Sequence, residues 1–143
     1  MLRSIFTLLW VCCFTGLLSA QLNITLVEVP SNTPLSDPIY LAGSFNNWDE
    51  AHPDYVLTNN GNQTYSITID PSPGLLEFKF TRGSWTSVEG NAGGGFQPNH
   101  TFDYSGNPSE LELTILSWED LGPAGTGPST ASDNVMILDQ DFY

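Results

Sequence analysis

Pro73-Gly74-Leu75-Leu76-Glu77-Phe78-Lys79-Phe80-Thr81 alternates large apolar and polar side chains directly after a proline-glycine turn. A period of two is that of a strand, whose successive side chains leave opposite faces. Leu76, Phe78 and Phe80 are therefore expected on a buried face, and Glu77, Lys79 and Thr81 facing away from it. The pattern recurs outward along the chain at Ile39/Leu41, Tyr65/Ile67/Ile69 and Leu111/Leu113/Ile115, and no stretch of ten or more residues carries a helical stripe.

Turn chemistry divides these runs. Residues 31–38 are rich in Pro and Asp, Asn59-Asn60-Gly61-Asn62 signals a hairpin, and Pro71-Ser72-Pro73-Gly74 forces a reversal. Further short strands are expected at 22–29, 86–89 and 101–104, giving about seven antiparallel strands. The expected fold is all-β, an immunoglobulin-like β-sandwich, without the Cys…Trp…Cys signature of antibody domains.

Residues 1–20 read as a secretory signal: Arg3 is the positive head, 5–18 the apolar stretch and Ser19-Ala20 the small-residue cleavage site. The stretch is shorter than the ~20 residues that span a bilayer. A secreted or periplasmic location is expected, with no membrane association after cleavage. Both cysteines, Cys12 and Cys13, fall in this segment, so the remaining 123 residues have no disulfide to stabilise them and depend on burial. That length suits one domain, at 21–119. Residues 120–134, rich in Gly, Pro and Ser, read as a linker, and 135–143 as a short tail that resembles the beginning of a further domain.

Loss of Arg3 leaves Lys79 and Arg82 as the basic residues against 16 acidic ones, a net charge of −14. Such a chain repels nucleic acid and anionic membranes and suits a neutral ligand.

The run Ile39-Tyr40-Leu41-Ala42-Gly43-Ser44-Phe45-Asn46-Asn47-Trp48, followed by Pro73 to Phe80 and then Gly83-Ser84-Trp85, resembles the starch- and glycogen-binding modules of carbohydrate-binding families 48 and 20 over about residues 25–118. The glycogen-binding domains of AMP-activated protein kinase β subunits look like this. Lys79 to Gly90, with Pro98-Asn99, is also similar to the amino-terminal module that precedes bacterial putative esterases of the α/β-hydrolase type. The resemblance implies a non-catalytic module that binds an α-glucan such as starch, glycogen or a maltooligosaccharide. The alternative it leaves open is an accessory domain of an exported esterase, with a downstream hydrolase as partner and sugar binding weak or lost.

By the family pattern Trp48 and Trp85 form stacking platforms, while Lys79 and Asn99 hydrogen-bond to hydroxyls. A tryptophan in an arbitrary sandwich is more often core. Here both lie in polar, turn-like surroundings, Trp48 between Phe45-Asn46-Asn47 and Asp49-Glu50 and Trp85 after Arg82-Gly83-Ser84, which favours exposed platforms. Lys79 has a second reading as a surface partner of Glu77 or Glu89. Arg82 reads as structural, pairing with Glu89, and Trp118 as a seal at the sandwich edge.

Catalysis finds no support in the residues. No G-x-S-x-G elbow is present, His52 and His100 stand apart without cysteine and read as solvated, and no EF-hand run occurs. Gly93-Gly94-Gly95 lacks the Gly-Lys-Ser/Thr ending of a phosphate loop and reads as a flexible loop. No cofactor and no metal are implied. Asn23, Asn62 and Asn99 each begin an N-x-T glycosylation acceptor, and a glycan on Asn99 would obstruct the expected surface.

Overall fold

A computed structural model describes residues 20–125. The segment read as a signal, up to residue 19 with both cysteines, most of the stretch read as a linker, beyond residue 125, and the stretch 135–143 read as a tail lie outside the described residues. Among those described, ten short strands form: β1 (Leu22–Glu28), β2 (Tyr40–Gly43), β3 (Thr58–Gly61), β4 (Thr64–Ile69), β5 (Gly74–Thr81), β6 (Glu89–Gly90), β7 (His100–Tyr104), β8 (Ser109–Thr114), β9 (Ser117–Trp118) and β10 (Gly122–Pro123).

These build two larger sheets, β3-β4-β1-β8 and β2-β5-β7, and a small third one, β10-β9-β6. The alternating residues do what their period predicts. Leu22, Ile24 and Leu26 of β1 and Tyr65, Ile67 and Ile69 of β4 meet Leu41 of β2 and Leu76, Phe78 and Phe80 of β5 in one core, which Trp118 completes. Each such side chain contributes roughly 1.5–3 kcal/mol when fully buried. The architecture is the expected β-sandwich.

Three features depart from the expectation. Strand β1 pairs antiparallel with β4 but parallel with β8, Leu22 opposite Ser109 and Leu26 opposite Leu113, so the sheets are not wholly antiparallel. The expected strand at 86–89 is a 3₁₀ turn, Trp85–Ser87, followed by β6. Gly122 and Pro123, within the expected linker, pair with Trp118 and Ser117. A hairpin forms between β3 and β4, but most of the stretch read as its turn, 59–62, is strand β3, and the turn falls at Asn62-Gln63, both in the left-handed region at φ 51° and 61°.

The outer face of β5 positions the site. Glu77 is exposed as its alternation requires, but Lys79 is only 6% exposed and Thr81 is fully buried. Loops cover them. Thr81 Oγ1 donates to Glu50 O at 2.6 Å, and Lys79 Nζ donates to Gln97 O. The far half of β5 is thus buried on both faces: the core covers one, and the 44–50 loop over Thr81 and the 91–99 loop over Lys79 cover the other.

Candidate functional site

Trp48 is presented by a turn held from beneath by Asn46. That side chain is buried; its Oδ1 accepts from Gly43 N at 2.8 Å and its Nδ2 donates to Leu41 O at 2.9 Å. Trp48 N in turn donates to Gly43 O at 3.0 Å. Asn47 and Trp48 both carry positive φ, 57° and 59°. For a bulky residue this is a genuine outlier of about 1–3 kcal/mol, kept only where surroundings enforce it.

Trp85 stands at the first position of the 3₁₀ turn. Ser84 caps that turn, its Oγ accepting from Thr86 N at 3.1 Å, and the indole is left 40% exposed. Trp48 is half-buried. The two ring centroids lie 6.3 Å apart with the planes tilted by 44°. Two turns distant in sequence therefore bring two apolar faces to one depression of about 390 Å³.

Lys79 and exposed Asn99 line the same depression, so all four residues singled out in the sequence come together. Lys79 differs from its expected state. It points away from the core, yet it is covered, with its ammonium 4.8 Å from the centroid of the Phe96 ring and bonded to Gln97 O. Neither Glu77 nor Glu89 pairs with it among the described ion pairs. Of the three donors of an ammonium, Gln97 O takes one.

Asn99 precedes His100, the first residue of β7. His100 is not a solvated histidine: its ring stacks on Phe78 at 5.4 Å and its Nε2 lies 2.9 Å from Oε2 of buried Glu89. Glu89 Oε1 also accepts from Phe80 N at 2.9 Å. This carboxylate ties β5, β6 and β7 together directly behind the site.

Glu89 is therefore not the partner of Arg82, contrary to expectation. Arg82 is nearly buried and pairs with Asp37 at 2.6 Å and with Asp120 at 2.6 Å. Its guanidinium also covers the Trp118 ring at 5.1 Å. The structural role read for Arg82 holds with different partners. Trp118 is wholly buried, its Nε1 donating to Thr33 Oγ1 at 2.8 Å.

Val88, Phe96 and Glu119 complete the lining and were not singled out in the sequence. A phenylalanine closing a triple-glycine run between strands was the available signal for Phe96. Glu119 had none, because an acidic residue after the last strand is indistinguishable from solvated surface. Chemically, the site offers tilted apolar faces, ammonium and amide donors, and a carboxylate acceptor. That set matches a neutral polyhydroxylated ligand with apolar C–H faces. Among the described residues, no three His, Cys, Asp or Glu side chains gather as metal ligands.

No family model matches the chain. It is similar to an α-amylase of Niallia circulans, 41% identical over 95 residues that make up 66% of this chain and 7% of that protein. An amylopullulanase of Thermoanaerobacterium thermosulfurigenes is 35% identical over 123 residues, 79% of this chain and 6% of that one. A second amylopullulanase, from Thermoanaerobacter thermohydrosulfuricus, is 31% identical over 101 residues, 66% of this chain and 7% of the enzyme. The chain thus spans a small fraction of the length of each of these relatives.

Proposed function

We propose that this domain is a non-catalytic module that binds α-glucan, such as starch, glycogen or a maltooligosaccharide, by stacking on Trp48 and Trp85 with hydrogen bonds from Lys79 and Asn99. The observation that carries this reading is the pair of solvent-accessible indoles, 6.3 Å apart and tilted by 44°, with both polar residues in the same depression. Two flat faces set at an angle suit a glucan that bends from one residue to the next. The indoles stack on sugar C–H faces and leave the hydroxyls to the polar groups.

The similarity to a small portion of enzymes named α-amylase and amylopullulanase supports an accessory role beside a catalytic domain that acts on α-glucan. Nothing in these three relatives favours an esterase as that companion. The signal-like residues 1–20 support export of the module, and 21–119 is the unit we take to bind.

Stacking exchanges water for sugar with little net gain per hydrogen bond, so dissociation constants of about micromolar to millimolar are expected, roughly −8 to −4 kcal/mol. Calorimetric titration with maltoheptaose tests the reading. Trp48→Ala and Trp85→Ala should each weaken binding by about tenfold or more. Binding left unchanged in both variants overturns it.

A further inference from the structure

Residues 20–125 hold two basic side chains, Lys79 in the depression and Arg82 at the foot of the turn that carries Trp85. Arg82 N donates to Ser87 O at 3.1 Å, Ser87 N to Ser84 O at 3.0 Å and Gly83 N to Thr81 Oγ1 at 3.2 Å, so the 82–87 loop is closed within itself. Its base is the Thr81–Val88 bridge, where Val88 O also accepts from Glu119 N at 2.9 Å. A loop held at its base alone can rock about that base, and the angle of the Trp85 ring would rock with it.

The Arg82 side chain supplies a second hold. Its Nη2 donates to Asp120 Oδ1 at 2.6 Å, 38 residues ahead, and its Nη1 donates to Asp37 Oδ2 at 2.6 Å. Asp120 is itself anchored. Leu121 N donates to Trp118 O at 3.2 Å, and Gly122 and Pro123 pair with Trp118 and Ser117. On the other side of β10, a Cβ on Gly94 would lie 2.7 Å from the Pro123 ring, so the triple glycine read as a flexible loop packs closely here. Glu119, between the bond to Val88 and the bond to Arg82, lines the depression.

Stacking on two tilted faces requires that the tilt exist before the ligand arrives, because a site left loose loses affinity to the cost of ordering it. We propose that Asp120 is a positioning residue: through Arg82 it clamps the Trp85 turn to the segment that carries Glu119, and so maintains the 44° angle between the indoles. This rests on the glucan-binding reading above and adds what holds its two platforms in place. Asp120 does not line the depression, so its effect on binding passes through Arg82. Asp37 is the natural control. It pairs with the same guanidinium at the same distance and is equally exposed, 35% against 36%, but it belongs to the 31–38 loop, which takes no part in the depression.

The test compares Asp120→Ala and Asp37→Ala with the wild type by calorimetric titration of maltoheptaose, by urea unfolding and by far-ultraviolet circular dichroism. Two indoles with centroids 6.3 Å apart couple their electronic transitions, and the resulting exciton couplet depends on their distance and angle. Trp48→Ala assigns the couplet by abolishing it. Both aspartate variants should lose similar stability. Asp120→Ala should weaken maltoheptaose about three- to tenfold and diminish the couplet, whereas Asp37→Ala should stay within about twofold of wild type with its couplet intact. Equal loss of affinity in the two variants overturns the proposal, because loss of Arg82's charge partners would then act through stability alone. Unchanged binding in Asp120→Ala overturns it too, as does weaker binding with an unchanged couplet. If Trp48→Ala and Trp85→Ala lose binding while Asp120→Ala does not, the clamp falls and the glucan-binding reading stands. A wild-type chain that binds no maltoheptaose overturns that reading, and the couplet of Asp120→Ala then decides the clamp by itself: diminished, it is upheld, and unchanged, it falls.

Discussion

Asn46 shows how one amide can decide what a neighbouring side chain does. It is buried, satisfies Gly43 N and Leu41 O, and so stabilises the turn in which Asn47 and Trp48 are left-handed. Removing a buried partner costs about 1–3 kcal/mol through the groups left unsatisfied. Asn46→Ala should lower stability by roughly that amount in urea unfolding. It should also weaken maltoheptaose binding, although Asn46 does not line the depression. An Asn46→Ala variant as stable as the parent would remove this account of how Trp48 is held. At this scale Trp48, Lys79, Trp85 and Asn99 were legible through the resemblance to glucan-binding modules, with turn surroundings supporting exposure of the two indoles and strand alternation placing Lys79 off the core face. It was not legible for His100 and Arg82, whose partners Glu89, Asp37 and Asp120 lie 11 to 45 residues away and leave no local mark.

Strands were legible as elements wherever one face is buried and the other wet, since only then does burial alternate. β4 obeys this along most of its length, whereas β5 departs at Lys79 because loops cover its second face. Pairing direction was not legible for β1 and β8: no turn joins them, so nothing local distinguishes a parallel neighbour from an antiparallel one. The β3–β4 hairpin is the element whose chemistry fits least well. Its turn places Gln63 at φ 61°, where glycine is favoured over a long side chain. Gln63→Gly should therefore raise stability by about 0.5–1 kcal/mol, the relief of left-handed strain less the entropy glycine adds to the unfolded chain. Chemical denaturation of the variant checks the sign, and a decrease would show that the turn bears no strain.

For the molecule as a whole, stability has to come from burial, since residues 20–125 contain no cysteine and few of their ionic contacts are buried. Tyr104 ties that core to pH. Burial first, and then the nearby charge of Asp70, raise its hydroxyl above the ordinary value of 10.0, and the oxygen has no hydrogen-bond partner among the described residues. The unfolded chain then releases this proton at lower pH than the folded one. The contribution is complete below pH 10.0 and is lost as pH rises through the folded value. Wild type should lose more stability than Tyr104→Phe as pH rises above 10.0, while at neutral pH the variant should melt at the same temperature or higher. Parallel losses in the two proteins would show that Tyr104 does not set the alkaline limit.

The sequence by itself determined that the chain is a sandwich, because hydrophobic period and turn chemistry are local properties that act within a few residues; which four residues to examine came from its resemblance to glucan-binding modules. Tertiary structure alone decided that β1 lies parallel to β8, that Lys79 is covered, and that Phe96 and Glu119 join the indoles. The last two depend on which loops come to rest against the outer face of β5, and the first on which distant strand settles beside β1. That is fixed by packing and hydrogen bonds between segments far apart in the chain.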